Sequence, residues 1–252
     1  MNALIVGTNK KPILNHLKRP YLLIDDGEMI DEIEPVPDHA TIAFDVSTHS
    51  FDPLRGMSYK NARDFISILD VVFPEGESTL THKNSIFILL QALLENPKSL
   101  GKLIRPKKDN QDAYQKIQTL LLSPVLNNVL NRPANFSFKG TIHAQLNRAE
   151  LGDFDSFVLA NLIISQYAGN VVIPDFGFYT HAGHSSLIRQ GRLIAGINSF
   201  SEVPDLKNDL LLIDTKIPSH CTYDDALILA QNRGLIPGIG THTTFVQDAI
   251  GG

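Results

Sequence analysis

The residues after the first apolar run, Gly7-Thr8-Asn9-Lys10-Lys11-Pro12, stand where a phosphate-binding chain would place its turn. A working loop of that kind has the form GxxxxGK[ST]. Glycines let backbone N–H groups wrap the phosphates, the lysine reaches the outer ones, and the hydroxyl holds magnesium. Gly7 is in place, but no second glycine follows and neither Lys10 nor Lys11 precedes a Ser or Thr. Pro12 also removes a donor where a cradle needs one. The segment reads either as a degraded phosphate loop or as a plain strand-to-helix turn.

A second candidate is Val171-Val172-Ile173-Pro174-Asp175-Phe176-Gly177, an apolar strand that ends in an acid. Such a carboxylate can stand beside a magnesium ion, and in an ATPase an adjacent acid then polarises the attacking water. That adjacent residue is Phe176, whose ring cannot accept a proton. Asp175 could equally end a strand and cap a loop. Downstream, Arg189 and Asn198 flank an apolar run, where a cation that reaches phosphates and a polar nucleotide sensor would fit. His181 and His184 form an H-x-x-H pair just past Asp175. Together the three could ligate a metal, although a loop with Gly183 and Ser185 also suits neutral histidines in ordinary hydrogen bonds. No G-x-S-x-G elbow occurs, so a serine hydrolase has no support.

The elements that must position these groups alternate in type. Short β-branched runs at Ala3–Val6, Tyr21–Ile24, Thr41–Phe44, Thr141–Ala144, Val171–Ile173, Arg192–Ile197 and Leu210–Ile213 predict strands. Several are unbroken apolar runs, as strands buried on both faces require. Helical spacing predicts helices at Tyr59–Val72, Thr81–Glu95, Asp112–Leu122, Phe154–Tyr167, Ser185–Gln190 and Tyr223–Asn232. In the fourth, Phe157, Val158, Asn161, Leu162 and Ser165 form a stripe; the last starts at Thr222, an N-cap type, with Asp225 three positions on. The alternation predicts an α/β fold in three layers around a mostly parallel sheet, with a mainly helical insert at about 55–135 and a single domain over 1–252.

Composition narrows the partners. The 252 residues carry a net charge of -5, so attraction to a polyanion would need a local patch. Lys98, Lys102, Arg105, Lys107 and Lys108 supply one candidate. Cys221 is the single cysteine, which excludes an intrachain disulfide and a multi-cysteine zinc site. No apolar run reaches the roughly 18 residues of a membrane span, and no secretory leader is legible, which together predict a cytoplasmic protein.

From the Val171 strand to about Gly234 the order of elements resembles the FtsK/HerA superfamily of DNA-pumping P-loop ATPases: strand with terminal acid, helix ending in Arg, strand with a polar tip. The stretch FDVSTHSFDPL, Phe44 to Leu54, is similar to the family's segment before its helical insert. The resemblance implies a P-loop NTPase fold with ATP and Mg2+ as cofactors. The phosphate turn would be Gly7, Thr8, Asn9, Lys10 and Lys11, with Asp175 as the metal-side carboxylate and Arg189 and Asn198 in catalytic roles. It implies ring assembly, a hexamer in the family, and work on DNA in translocation, conjugation or genome packaging, within a larger secretion or packaging machine. The substitutions at the catalytic positions predict weak or no hydrolysis. Two alternatives stand beside this: a non-catalytic, protein-binding scaffold on the same fold, and a metal-dependent hydrolase that uses Asp175, His181 and His184.

Overall fold

The structure, a computed structural model, describes residues 2–27, 41–53, 65, 67–69, 71–73, 111–235 and 240–251. The expected helix Thr81–Glu95 and the basic residues from Lys98 to Lys108 lie outside the described residues. The chain divides into two compact units, the first with described residues 2–25 and 169–251, the second with 26–27 and 41–168.

Strands form at β1 (Ala3–Val6), β2 (Tyr21–Asp25), β3 (Ile42–Asp45), β4 (Ile142–Gln145), β5 (Asn170–Ile173), β6 (Leu193–Ile197) and β7 (Thr215–Pro218). In the first unit they run in the order β2-β5-β6-β1-β7 with parallel pairing throughout, and in the second β3 pairs parallel with β4. The chain is therefore α/β with a parallel sheet, as the alternating pattern requires. β1 and β6 are buried at every position, which explains why Ala-Leu-Ile-Val and Leu-Ile-Ala-Gly-Ile carry no polar alternation.

The register places β6 between β5 and β1: Ile173 lies beside Ala195, and Ala195 beside Leu4. The tips after Val6, Ile173 and Ile197 therefore converge at one end of the first unit's sheet. Ligands of open parallel sheets commonly sit at that carboxyl end.

One expected strand is corrected. The run Leu210–Ile213 lies in and just after a helix, Lys207–Leu211, and the seventh strand is Thr215–Pro218. Leu206 and Leu210 are buried while Leu212 is 72% exposed, a helical spacing of burial that an apolar tetrapeptide conceals. β7 itself is half-buried and ends in proline, so it carries no apolar-run signal. Its outer side is closed locally: Arg233 donates from Nη2 to the Lys216 carbonyl at 2.7 Å, and Lys216 donates to the carbonyl of Ile213.

In the second unit the helix Asp153–Gln166 is buried from Asp155 through Ile164 rather than along one stripe, as expected of a helix enclosed on all sides. The Asp155 carboxylate accepts a 2.6 Å hydrogen bond from Ser123 Oγ, while Ser123 caps the helix Pro124–Leu130 by accepting from the Leu126 amide.

Candidate functional site at the tip of the sheet

The turn after β1 is fixed by its first residue. Gly7 has φ 127, a conformation that side chains oppose, and an added Cβ would run into the Ser219 carbonyl and approach the Cys221 amide to 2.9 Å. With the chain bent there, the amides point into neighbouring loops. Gly7 donates to the Ile197 carbonyl at 2.9 Å, Asn9 to Ser219 at 3.4 Å and Thr8 to His220 at 3.5 Å. The Lys11 amide is taken by Asn9 Oδ1 at 3.0 Å, and Pro12 has none to offer. The side chains of Thr8 and Lys11 are exposed.

Lys10 turns inward instead. Its Nζ donates to the Gly7 carbonyl at 2.5 Å, and its stem passes over Gly196, where an added Cβ would sit 2.9 Å from Lys10 Cδ. Burial pulls the Lys10 ammonium down from 10.5 to about 8, and the carboxylates of Glu202 and Asp175 act against that pull. The lysine of the amino-terminal turn and the acid after β5 thus share one local field, as the placement of β6 between their strands permits.

Glu202 is a member of this cluster that residue spacing alone did not single out. Its carboxylate accepts from the Asn198 backbone amide at 3.0 Å and from Asn198 Nδ2 at 2.9 Å, and it lies against Gly177, where a Cβ would approach Glu202 Cδ to 3.0 Å. A signal existed, because Ser199-Phe200-Ser201-Glu202 is a capping-box sequence. Ser199 caps the short turn Phe200–Glu202 by accepting from the Ser201 amide. Beneath the turn, buried Asp225 accepts from the Phe200 amide at 3.1 Å, Ser199 Oγ at 3.2 Å and Thr222 Oγ1 at 2.6 Å. Thr222 returns the contact by accepting from the Asp225 amide, the predicted cap of the helix Tyr223–Asn232.

The tip therefore assembles Gly7, Lys10, Asp175, Asn198 and Glu202. Arg189 stands apart from it. It ends the helix Ser185–Arg189 ahead of β6, whereas Asn198 follows the strand, so the length of β6 separates the two. Its guanidinium pairs with Asp209 at 3.1 Å, and the other Asp209 oxygen accepts from Ser185 at 2.5 Å. Phe176, at the position of a catalytic acid, is fully buried with its ring 5.4 Å from His184.

The two histidines share one face of a tight helical turn, their ring centroids 4.1 Å apart. His181 Nδ1 accepts from the Gly183 amide at 3.1 Å, so in the neutral ring the proton sits on Nε2 and neither nitrogen is free to ligate a metal. His184 is buried, and neither ring nitrogen has a hydrogen-bond partner among the described residues. Burial lowers His181 to about 4; burial and then the His181 charge push His184 well below its ordinary value. No group of three metal-ligating residues forms among the described residues, so Asp175, His181 and His184 do not assemble as a metal centre.

No protein-family model and no curated protein matches the chain. A solved structure does: the bacterial conjugative coupling protein TrwBdeltaN70 in an unbound monoclinic form. The likeness has a TM-score of 0.50 at 13% identity over 83% of this chain and 66% of that one. The fold is of the P-loop NTPase type. The chain spans about two thirds of the coupling protein's length, and identity this low speaks for fold alone. Chemistry must come from the residues. A triphosphate needs several inward N–H donors, and here the amides of Gly7, Thr8, Asn9 and Lys11 are spent on the chain itself, while Lys10 Nζ donates to the Gly7 carbonyl. As folded, the donor set does not fit a triphosphate. No helix among the described residues is long and apolar enough to cross a membrane.

Proposed function

We propose that this chain is a diverged, non-hydrolysing subunit of a DNA-handling machine of the FtsK/HerA kind, serving conjugation, translocation or genome packaging. One observation carries the reading: the amides of the turn after β1 bond within the chain and Lys10 donates to its own Gly7 carbonyl, so the turn's donors serve the fold where a phosphate loop would offer them to a ligand. The likeness to a conjugative coupling protein supports the setting. The chain would act by self-association and by contact with protein partners, with DNA reached as part of the assembly. Its net charge of -5 suits protein contacts better than unaided capture of a polyanion.

The test is nucleotide response. Melting with millimolar ATP and magnesium should leave the midpoint where it is without them, since only a ligand that binds the folded state raises it. Turnover should stay far below the roughly 10 per second of an ordinary enzyme. A clear rise in midpoint, or sustained hydrolysis lost in Asp175→Ala, would overturn the proposal.

A further inference from the structure

In the first unit, residues 180–184 join two anchored pieces of chain. On one side Phe176 and Tyr179, in the helix Phe176–Tyr179, are fully buried. On the other, the helix Ser185–Arg189 buries Leu187 and Ile188 and is pinned by Ser185 and Arg189, both of which donate to the Asp209 carboxylate. The segment between them is bonded locally. The Gly183 amide donates to His181 Nδ1 at 3.1 Å, the His184 amide to the His181 carbonyl at 3.0 Å, and Ser186 Oγ to the Gly183 carbonyl at 3.2 Å. What the segment carries inward is polar: Thr180 Oγ1 and both ring nitrogens of His184 are buried with no hydrogen-bond partner among the described residues. The His184 ring lies against the rings of Phe176 and His181, at 5.4 and 4.1 Å. Buried polar atoms without partners favour any arrangement that returns them to water.

The charges nearby do not hold an imidazolium there. His181, on the same turn, is the one charge among the described residues that bears on His184, and it repels a proton. On the following helix Arg189 is paired with Asp209, whose other oxygen is taken by Ser185. At the tip, Asp175 and Glu202 act on Lys10. We propose that residues 180–184 form an acid-released strap: a proton on His184 sends the segment out to water between its two fixed ends while the sheet stays folded, and Phe176, next to Asp175, is uncovered. In the open strap a histidine has its ordinary affinity for protons, and in the closed one burial lowers it, so opening is favoured as the pH falls below 6.5. The device is independent of the assembly proposed above.

Residue-resolved hydrogen exchange on the full chain between pH 7.5 and 5 provides the test, since it reads local opening apart from global unfolding. The Gly183 and His184 amides should be protected at least about 10-fold less than those of Ile5 and Ala195 in β1 and β6, and below pH 6.5 their protection should fall by at least about 10-fold per pH unit, one proton's worth. His184→Phe keeps a ring in place and should take about 10-fold per unit out of that fall at Gly183. Gly183 and His184 protected as strongly as Ile5 and Ala195 at every pH would mean that the segment opens only with the whole sheet, and would overturn the strap. So would a fall left unchanged in His184→Phe. The wild-type comparison decides the matter by itself if that variant does not fold.

Discussion

Lys10 is the residue on which the tip depends. Its ammonium donates to the Gly7 carbonyl and feels the charges of Asp175 and Glu202, and its stem passes over Gly196. Burial outweighs the pull of both carboxylates and brings the ammonium from 10.5 down to about 8, so the fold disfavours this charge relative to the unfolded chain. Between those two values the unfolded chain binds a proton that the folded chain has released, so stability should rise as the pH climbs from 8 toward 10.5. Lys10→Met should lose that rise and should not be weakened by the loss of charge at pH 7. Chemical denaturation over this range would measure it, and identical pH slopes in wild type and Lys10→Met would mean that the lysine is not held in a desolvated site. Asn198 belongs to the same scheme as the residue that aims Glu202, with both its backbone amide and its side chain on that carboxylate.

At the scale of elements, the short turn that carries Glu202 is supported from below by the first turn of the helix Tyr223–Asn232. Asp225 makes the connection, and it is buried with three donors on it. Asp225→Ala strands the Phe200 amide and two hydroxyls, a cost of about 2–4 kcal/mol, whereas Asp225→Asn keeps one acceptor oxygen and should lose less. Thermal melts of the pair would decide it, and a silent alanine variant would exclude Asp225 as the support. The sequence showed the cap at Thr222 but not the bond from Asp225 back to Phe200, which joins residues 25 apart. The same distinction separates what was legible from what was not. Unbroken apolar runs at β1, β5 and β6 are strong local signals and lie where expected. β7, half-buried and ending in Pro218, is specified by its pairing with β1 and by no local pattern, so the nearby leucines drew the strand reading to themselves. Asp175 and Lys10 were legible as residues. Their nearness and the part of Glu202 depend on β6 lying between two strands, a fact of topology.

For the molecule as a whole, the buried histidine pair sets an acid limit. Both folded-state values lie below the ordinary 6.5, so below that pH the unfolded chain binds protons that the folded chain refuses. Stability should therefore hold above pH 6.5 and fall as the pH drops toward 4, by up to about 1.4 kcal/mol per pH unit for each histidine. His184→Phe should flatten that slope. Denaturant titrations from pH 7 to 5 would measure it, and identical slopes in wild type and variant would refute this origin. The likeness to a conjugative coupling protein at 13% identity belongs at this scale too, since it speaks for the fold alone.

The seal on β7 has a mechanical corollary. Pro218 brings no N–H to the outside of that strand, and Arg233 already occupies the Lys216 carbonyl there. A neighbouring molecule that tried to knit its backbone onto this margin would find an acceptor taken and a donor missing, so growth into amyloid-like fibres is disfavoured on that flank.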